Sequence, residues 1–328
     1  MVTTPGIHHV TAIAGDPRQN VAFYTEVLGV RLVKQTVNFD APGTYHLYYG
    51  NEVGTPGTVL TFFPVGEGRQ GTVGRGQTSA VTYSVPEGSL EFWREHLEAH
   101  GVTVGAQTDR FGSTVLPFSD PDGQPGELLE TASEIDPWAD GPIPVAYATR
   151  GFYGVTLDSR RPQQTGAVLE ALGYERTATA GNRIRYQTTD ERTTVGAGGG
   201  RAGVVDVLSR PDGSQGQAGV GTVHHVAFRA ADDETQAALS KRLQELGQTV
   251  TPQKDRQYFR SVYFREPGGI LFEIATDGPG FDRDESVSEL GRTLKLPPWL
   301  ETNREQIEQR LPPLAHGQQA DAEPEGSA

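Results

Sequence analysis

The chain of 328 residues contains no cysteine. That excludes disulfides, thiolate metal ligands and a cysteine nucleophile together. Any metal centre must be built from histidine and carboxylate, donors that suit Fe(II), Mn(II) or Zn(II). Lysine is nearly as scarce. Lys34, Lys241, Lys254 and Lys295 are all of it, in a chain of net charge −14. A nucleic-acid partner needs clustered cations, and this balance opposes one. The acidic surplus keeps a protein dispersed at high ionic strength, so it suits a salt-loving host as well as an ordinary acidic cytosol. No apolar run is long enough to span a bilayer, which argues against a membrane role. The opening "MVTTPGIHH" has neither the basic nor the apolar stretch of a secretory signal, and a soluble cytoplasmic protein is expected. Hydrophobic residues reach only 35%, while 41 Gly and 22 Pro favour many short strands joined by turns. The length calls for two domains or one large composite.

What the chain does have is a repeated histidine pair. "GIHHVTAI" (6–13) and "TVHHVAFR" (222–229) hold four of its eight histidines. Both open the same pattern of strand, polar turn, amphipathic helix, glycine and further strands. Fainter copies begin at Thr78 and Phe152. Aligned on His9, Ser79, Gly154 and His225, the copies are spaced by 70, 75 and 71 residues. A fixed period of this kind marks a repeated supersecondary unit. The helices carry apolar residues at helical spacing (Val21, Tyr24 and Leu28; Leu90, Trp93 and Leu97; Leu239, Leu243 and Leu246) and end at Gly29, Gly101, Gly173 and Gly247. Strands such as "TYHLYYG" (44–50), "VLTFF" (59–63) and "ILFEIA" (270–275) follow, with the turns "DPDG" and "EPGG" before the last strand of units two and four. Each unit reads as βαβββ. The fold class is α+β: units one and two span 5–134, units three and four span 149–278, and 131–149 forms a proline-rich linker. A helical extension follows over 279–314, with one amphipathic helix between prolines at 296–314. The glycine-rich stretch from about 196 to 203 is expected as a surface loop, and 315–328 as a disordered tail.

Strand alternation separates the two histidines of each pair. His8 falls with Val10 and Ala12, and His224 with Val226 and Phe228, on apolar faces expected beneath the helices. His9 falls with Thr11, and His225 with Arg229, on a small or polar face. In "ILFEIA", Glu273 faces away from Ile270, Phe272 and Ile274, and a carboxylate there is costly unless paired or metal-bound. His9, His225 and Glu273 together make the two-histidine, one-carboxylate set of non-haem Fe(II) oxygenases, with coordination positions left for substrate and O2. His46 and the tyrosines of "YHLYYG" are expected to be structural. Glu130, aligned with Glu273 through "LLET", lacks a histidine partner and is expected to be structural or vestigial.

The ordered set "GIHHVT", "FYTEVLGVRLVKQTVNFD", "YHLYYGN", "GTVLTFFP", "VHHVAF", "LFEIATD" and "LPPWLE" resembles the vicinal-oxygen-chelate superfamily (glyoxalase, bleomycin-resistance and extradiol dioxygenase proteins) across nearly all of the chain. It is most similar to the branch of ring-cleaving hydroquinone dioxygenases. The resemblance implies two cupped mixed-sheet barrels, with units one and four pairing around a metal and units two and three around an empty cleft. It implies Fe(II) on His9, His225 and Glu273, with Mn(II) or Zn(II) fitting the same donors. It implies a small aromatic para-diphenol and O2 as substrates. It also implies supporting residues at His8, Thr11, His224, Arg256 and Tyr263. Parity and resemblance pull apart at His8 and His224, which alternation places off the cavity face.

Three other functions use overlapping features: a catechol-type extradiol dioxygenase with the same iron, a glyoxalase-like metal isomerase, and a metal-free aromatic-binding resistance protein. The isomerase usually needs a fourth ligand, which "TVLTFF" does not supply. The binding protein has no need of an intact triad. A homo-oligomer is compatible with the sequence.

Overall fold

The computed structural model describes residues 2–189 and 202–314. Most of the expected glycine-rich loop and all of the expected tail lie outside the described residues. Four βαβββ modules follow one another. The first is β1 (Ile7–Ala14), α1 (Pro17–Ala22), β2 (Arg31–Asn38), β3 (Ala41–Gly50) and β4 (Val59–Pro64). The second is β5 (Gln77–Val85), α2 (Leu90–Ala99), β6 (Thr108–Arg110), β7 (Ser113–Ser119) and β8 (Pro125–Glu130). The third is β9 (Phe152–Ser159), α3 (Pro162–Leu172), β10 (Tyr174–Ala180), β11 (Arg183–Thr188) and β12 (Val204–Ser209). The fourth is β13 (Thr222–Ala230), α4 (Asp233–Glu245), β14 (Lys254–Asp255), β15 (Arg260–Arg265) and β16 (Leu271–Thr276). Helix α3 stops where Gly173 turns left-handed at φ 99°, and a Cβ there would run into Thr3.

The modules pair crosswise. One eight-stranded sheet runs β14-β15-β16-β13-β1-β4-β3-β2, joining modules one and four. The other runs β10-β11-β12-β9-β5-β8-β7-β6, joining modules two and three. In each, antiparallel first strands form the seam (β1 with β13, β5 with β9), and each first strand runs parallel to its own module's last strand. One face of each sheet packs beneath the helices. Val10, Ala12, Val226, Phe228, Phe272 and Ile274 are fully buried there. Burying a side chain such as Phe272 contributes about 1.5–3 kcal/mol.

The opposite face of the first sheet is cupped and lined by a separate apolar cluster: Val33, Tyr48, Val59, Ala227 and Ala275, with Tyr258 and Phe259 from the loop before β15 and Phe281 and Leu290 from the extension. The extension is pinned by Lys34, which is fully buried and donates to Asp284 at 2.7 Å and to Glu285. The expected helix over 296–314 is shorter than its periodicity suggested. It consists of a 3-10 turn at Glu301–Asn303 and α5 (Arg304–Glu308), with Ile307 and Leu311 as its buried contacts. No helix of the described residues is long and apolar enough to cross a membrane.

The cup of the second sheet departs from the expected empty cleft, because side-chain ion pairs fill it. Arg110 clamps Glu127, with one contact at 2.6 Å. Arg185 grips Asp206 through two bonds of 2.8 and 2.9 Å, and Arg183 adds a third at 3.1 Å. Thr82 donates to Glu127, and Arg185 to the Tyr153 hydroxyl. Paired in this way, the carboxylates avoid the cost of lone buried charge.

Candidate metal centre

The seam between β1 and β13 carries both histidine pairs, and it is irregular at each. Ile7 pairs with Phe228 and His9 with Ala227, so His8 has no opposite residue. Thr11 pairs with His225 and Ala12 with Val223, so His224 has none either. Each pair thus straddles a β-bulge, which breaks alternation and re-aims a side chain. This corrects the expectation that His8 and His224 lie beneath the helices. Their Nδ1 atoms stand 3.0 Å from His9 Nδ1 and 2.8 Å from His225 Nδ1. His8 is buried against Phe259, with ring centroids 5.2 Å apart. His224 is exposed, edge-on to Phe63.

Three buried donor atoms converge on the cupped face. His225 Nε2 lies 2.9 Å and His9 Nε2 3.4 Å from the same Glu273 oxygen, and the two nitrogens are 3.3 Å apart. Two ligands each about 2.1 Å from an ion and at right angles to each other sit about 3.0 Å apart. The three separations therefore fit one face of an octahedron. The Glu273 oxygen shared by the histidines is buried without a hydrogen-bond donor, while its other oxygen accepts from Ser261. Burial pushes the Glu273 carboxyl up, but the two imidazoles outweigh it and hold it well below the usual range. Burial lowers His225. An ionised carboxylate beside a neutral imidazole is the protonation state a divalent ion requires. Among the described residues, this is the one such group of His and carboxylate side chains close enough to share an ion.

The Nδ1 contacts set the tautomers. With Nε2 turned to the ion, His9 and His225 carry their protons on Nδ1 and donate them to His8 and His224. His8 Nε2 is buried without a partner, and burial keeps that ring neutral by lowering it well below its ordinary value. His8→Ala is therefore expected to keep most of the metal and lose about 10–100-fold in affinity, whereas His9→Ala and His225→Ala empty the site. Metal analysis of the three purified variants checks this, and an empty His8→Ala protein would reverse the assignment.

Other cup residues complete the surroundings. Thr11 Oγ1 is 2.8 Å from Thr61 Oγ1. Arg256 donates through Nε to the Tyr263 hydroxyl at 3.0 Å and through Nη2 to Asp40 at 3.0 Å. The Tyr263 ring stands edge-on to His225, centroids 5.9 Å apart, and burial pushes its phenol up. All eight residues singled out from the sequence thus gather at one cup. His46, expected to be structural and not a ligand, stands on β3 with its ring nitrogens at Thr61 and Tyr48, both 2.8 Å away. Its place in the aromatic "YHLYYG" hid this.

The second cup corrects two alignments. There Ser79 and Tyr153 are the residues skipped by the seam, so Ala80 and Gly154 stand where His9 and His225 do. Thr82 pairs with Glu127 as Ala227 pairs with Glu273, which makes Glu127, not Glu130, the counterpart of Glu273. Counting from the turns gives the same answer: Glu127 follows Asp120 by seven residues, as Glu273 follows Glu266. Glu130 instead accepts from the Leu90 N–H at the start of α2, at 3.0 Å. In the first module Thr61, opposite Thr11, holds the corresponding place.

A cupped pair of βαβββ modules with a facial histidine–carboxylate set defines a metal-dependent class, and sequence comparison agrees. The profile of the Glyoxalase/Bleomycin resistance protein/Dioxygenase superfamily matches residues 6–128 and 148–274, and the chain belongs to that superfamily. Within it, the curated relatives it matches are named as dioxygenases. MhqO of Bacillus subtilis (strain 168), provisionally so named, is 47% identical over 313 residues, covering 95% of this chain and 97% of its own. A Sphingobium indicum protein named chlorohydroquinone/hydroquinone 1,2-dioxygenase is 40% identical over 311 residues, covering 92% of this chain and 94% of its own. The crystal structure of a B. subtilis protein provisionally named a dioxygenase superposes with a TM-score of 0.89 at 46% identity, over 96% of this chain and 98% of that one. Glyoxalase I of Zea mays shares the fold, with a TM-score of 0.59 at 16% identity over 83% of this chain and 92% of its own.

Proposed function

We propose that this chain is an Fe(II)-dependent dioxygenase that opens the ring of a substituted hydroquinone with O2, the iron being held by His9, His225 and Glu273. The observation that carries this reading is the convergence of those three buried ligands beside a tyrosine and an arginine. When bound, Fe(II) supplies a site where an ionised phenol oxygen and O2 come together, so that the ring's electrons can pass to oxygen.

The chain's own groups do the rest. A para-diphenol offers a metal one oxygen only, so its distal hydroxyl must be held by protein. Tyr263 accepts from Arg256 and keeps its own proton to give, and its raised phenol stays protonated at neutral pH. It is thus a donor to the distal oxygen and a proton carrier during ring opening. Phe259, packed 5.0 Å from the His9 ring, keeps water from one side of the ligands. Thr61, standing where a glyoxalase-type fourth ligand would come from, offers no carboxylate or imidazole, which supports an oxygenase over an isomerase.

The test is oxygen consumption and product absorbance by the Fe(II)-reconstituted protein. Hydroquinones bearing a halogen or alkyl group beside one hydroxyl should be opened faster than catechols. A preference for catechol would assign the ortho-diol reaction. Iron-loaded protein that consumes no O2 with either class would sink the dioxygenase reading.

A further inference from the structure

Outside the ligands, one line of hydrogen bonds runs from the apolar lining of the cup to the strand that bears His9. The Tyr48 hydroxyl lies 2.8 Å from His46 Nδ1. His46 Nε2 lies 2.8 Å from Thr61 Oγ1, and Thr61 Oγ1 lies 2.8 Å from Thr11 Oγ1. Thr11 stands two residues beyond His9 on β1, and its pairing with His225 places it between the two histidine ligands.

The direction of this line follows from its closed end. Tyr48 is 1% exposed, with its ring among Tyr258, Phe259 and Phe281. A phenol there does not ionise, because burial pushes it far up. It meets His46 as the donor, which leaves Nδ1 as acceptor and puts the ring proton on Nε2. Burial keeps His46 neutral, so only one nitrogen carries a proton. Nε2–H then donates to Thr61, and the Thr61 hydroxyl donates to Thr11. The last proton, on Thr11, has no further acceptor along the line and is turned into the cup. A chain polarised in one sense makes its terminal hydroxyl a better donor. The line ends in the packed core at Tyr48, so it orients a donor and does not carry protons to solvent.

We propose that His46 is a positioning residue which, through Thr61, fixes the Thr11 hydroxyl as a hydrogen-bond donor to an ionised phenol oxygen bound beside His9 and His225. This deepens the dioxygenase reading and rests on it. The pattern that supports it is absent from the second cup, where Arg183 and Arg185 hold the places of His46 and Tyr48 and where Asp206 replaces Thr61.

The experiment measures binding of 4-nitrophenol, without O2, to protein loaded with redox-inert Zn(II). The absorbance of bound nitrophenolate reports both affinity and ionisation, and the zinc content of each variant is measured alongside. Thr11→Val and Thr61→Val are near-isosteric and should each weaken nitrophenolate binding about 10-fold, the worth of one charge-assisted hydrogen bond. His46→Phe should do the same with zinc retained. His46→Gln, which can accept from Tyr48 and donate to Thr61, should restore most of the loss. The Thr11→Val/His46→Phe double variant should be no weaker than either single one, because the line acts as a unit. Wild-type binding in Thr61→Val and His46→Phe, or additive losses in the double variant, would overturn the proposal while leaving the dioxygenase reading standing. Failure of the zinc-loaded wild type to bind nitrophenolate at all would overturn both.

Discussion

Glu273→Gln should leave the protein folded, nearly free of metal and unable to consume O2. The carboxylate is fully buried and supplies the negative charge that offsets a divalent ion between two neutral imidazoles. Gln keeps the shape and can still accept from Ser261, so packing is preserved. What disappears is the anionic ligand. The fall in metal affinity should exceed the about 10–100-fold typical of losing a partner behind a ligand. The metal-free variant should still melt cooperatively but somewhat below metal-free wild type, since the two imidazoles hold the carboxylate ionised and Gln loses that attraction. Metal analysis, an oxygen electrode and a thermal melt on the same preparation separate loss of ligand from loss of fold. Near-wild-type metal content and turnover would rule out the triad as drawn.

The second large effect is a difference between substrates. Tyr263→Phe should slow hydroquinone turnover about 10–100-fold if it removes one transition-state hydrogen bond whose loss strands a buried polar group. A catechol chelates through both oxygens and has no distal hydroxyl for Tyr263 to hold, so its turnover should change far less. The comparison is oxygen uptake by wild type and variant on both substrates at matched iron content. The location of the ring, edge-on to His225 and tethered by Arg256, motivates it. Equal losses on the two substrates would remove the distal-hydroxyl role from Tyr263.

Much of this was legible in the residues. The 70-residue period exposed four modules, and the recurrence of His-His-Val with a lone Glu in an apolar strand singled out the triad. Resemblance supplied the crosswise pairing of modules and the five supporting residues. The misreadings share one physical cause. Alternation assumes an unbroken ladder, but a bulge adds one residue to one strand, and nothing in "HHV" marks which residue is surplus. His8 and His224 were therefore assigned to the wrong face, and Ser79 to the wrong rank. Glu130 aligns with Glu273 because "LLE" looks like "LFE", although the count from the preceding turn points to Glu127. His46 escaped because its partners, Thr61 and Tyr48, are joined to it by strand register and not by any local motif. The arginines of the second cup escaped for a similar reason. They come from β6 and β11, and only the folded sheet aims them at Glu127 and Asp206.

Those arginines bear on stoichiometry. A chain built from four copies of one module could house two ions in two cups. The second cup cannot accept one by simple restoration of its histidines. At Gly154 a Cβ would lie 2.1 Å from the Val204 carbonyl oxygen, so no side chain fits there without moving the backbone. The counterpart of Glu273 is already neutralised by Arg110, and Asp206 beyond it is already paired with Arg183 and Arg185. Duplication in this protein has divided into one cup that recruits its positive charge from solution and one that carries its own. Among the described residues, two cups thus offer one candidate metal site.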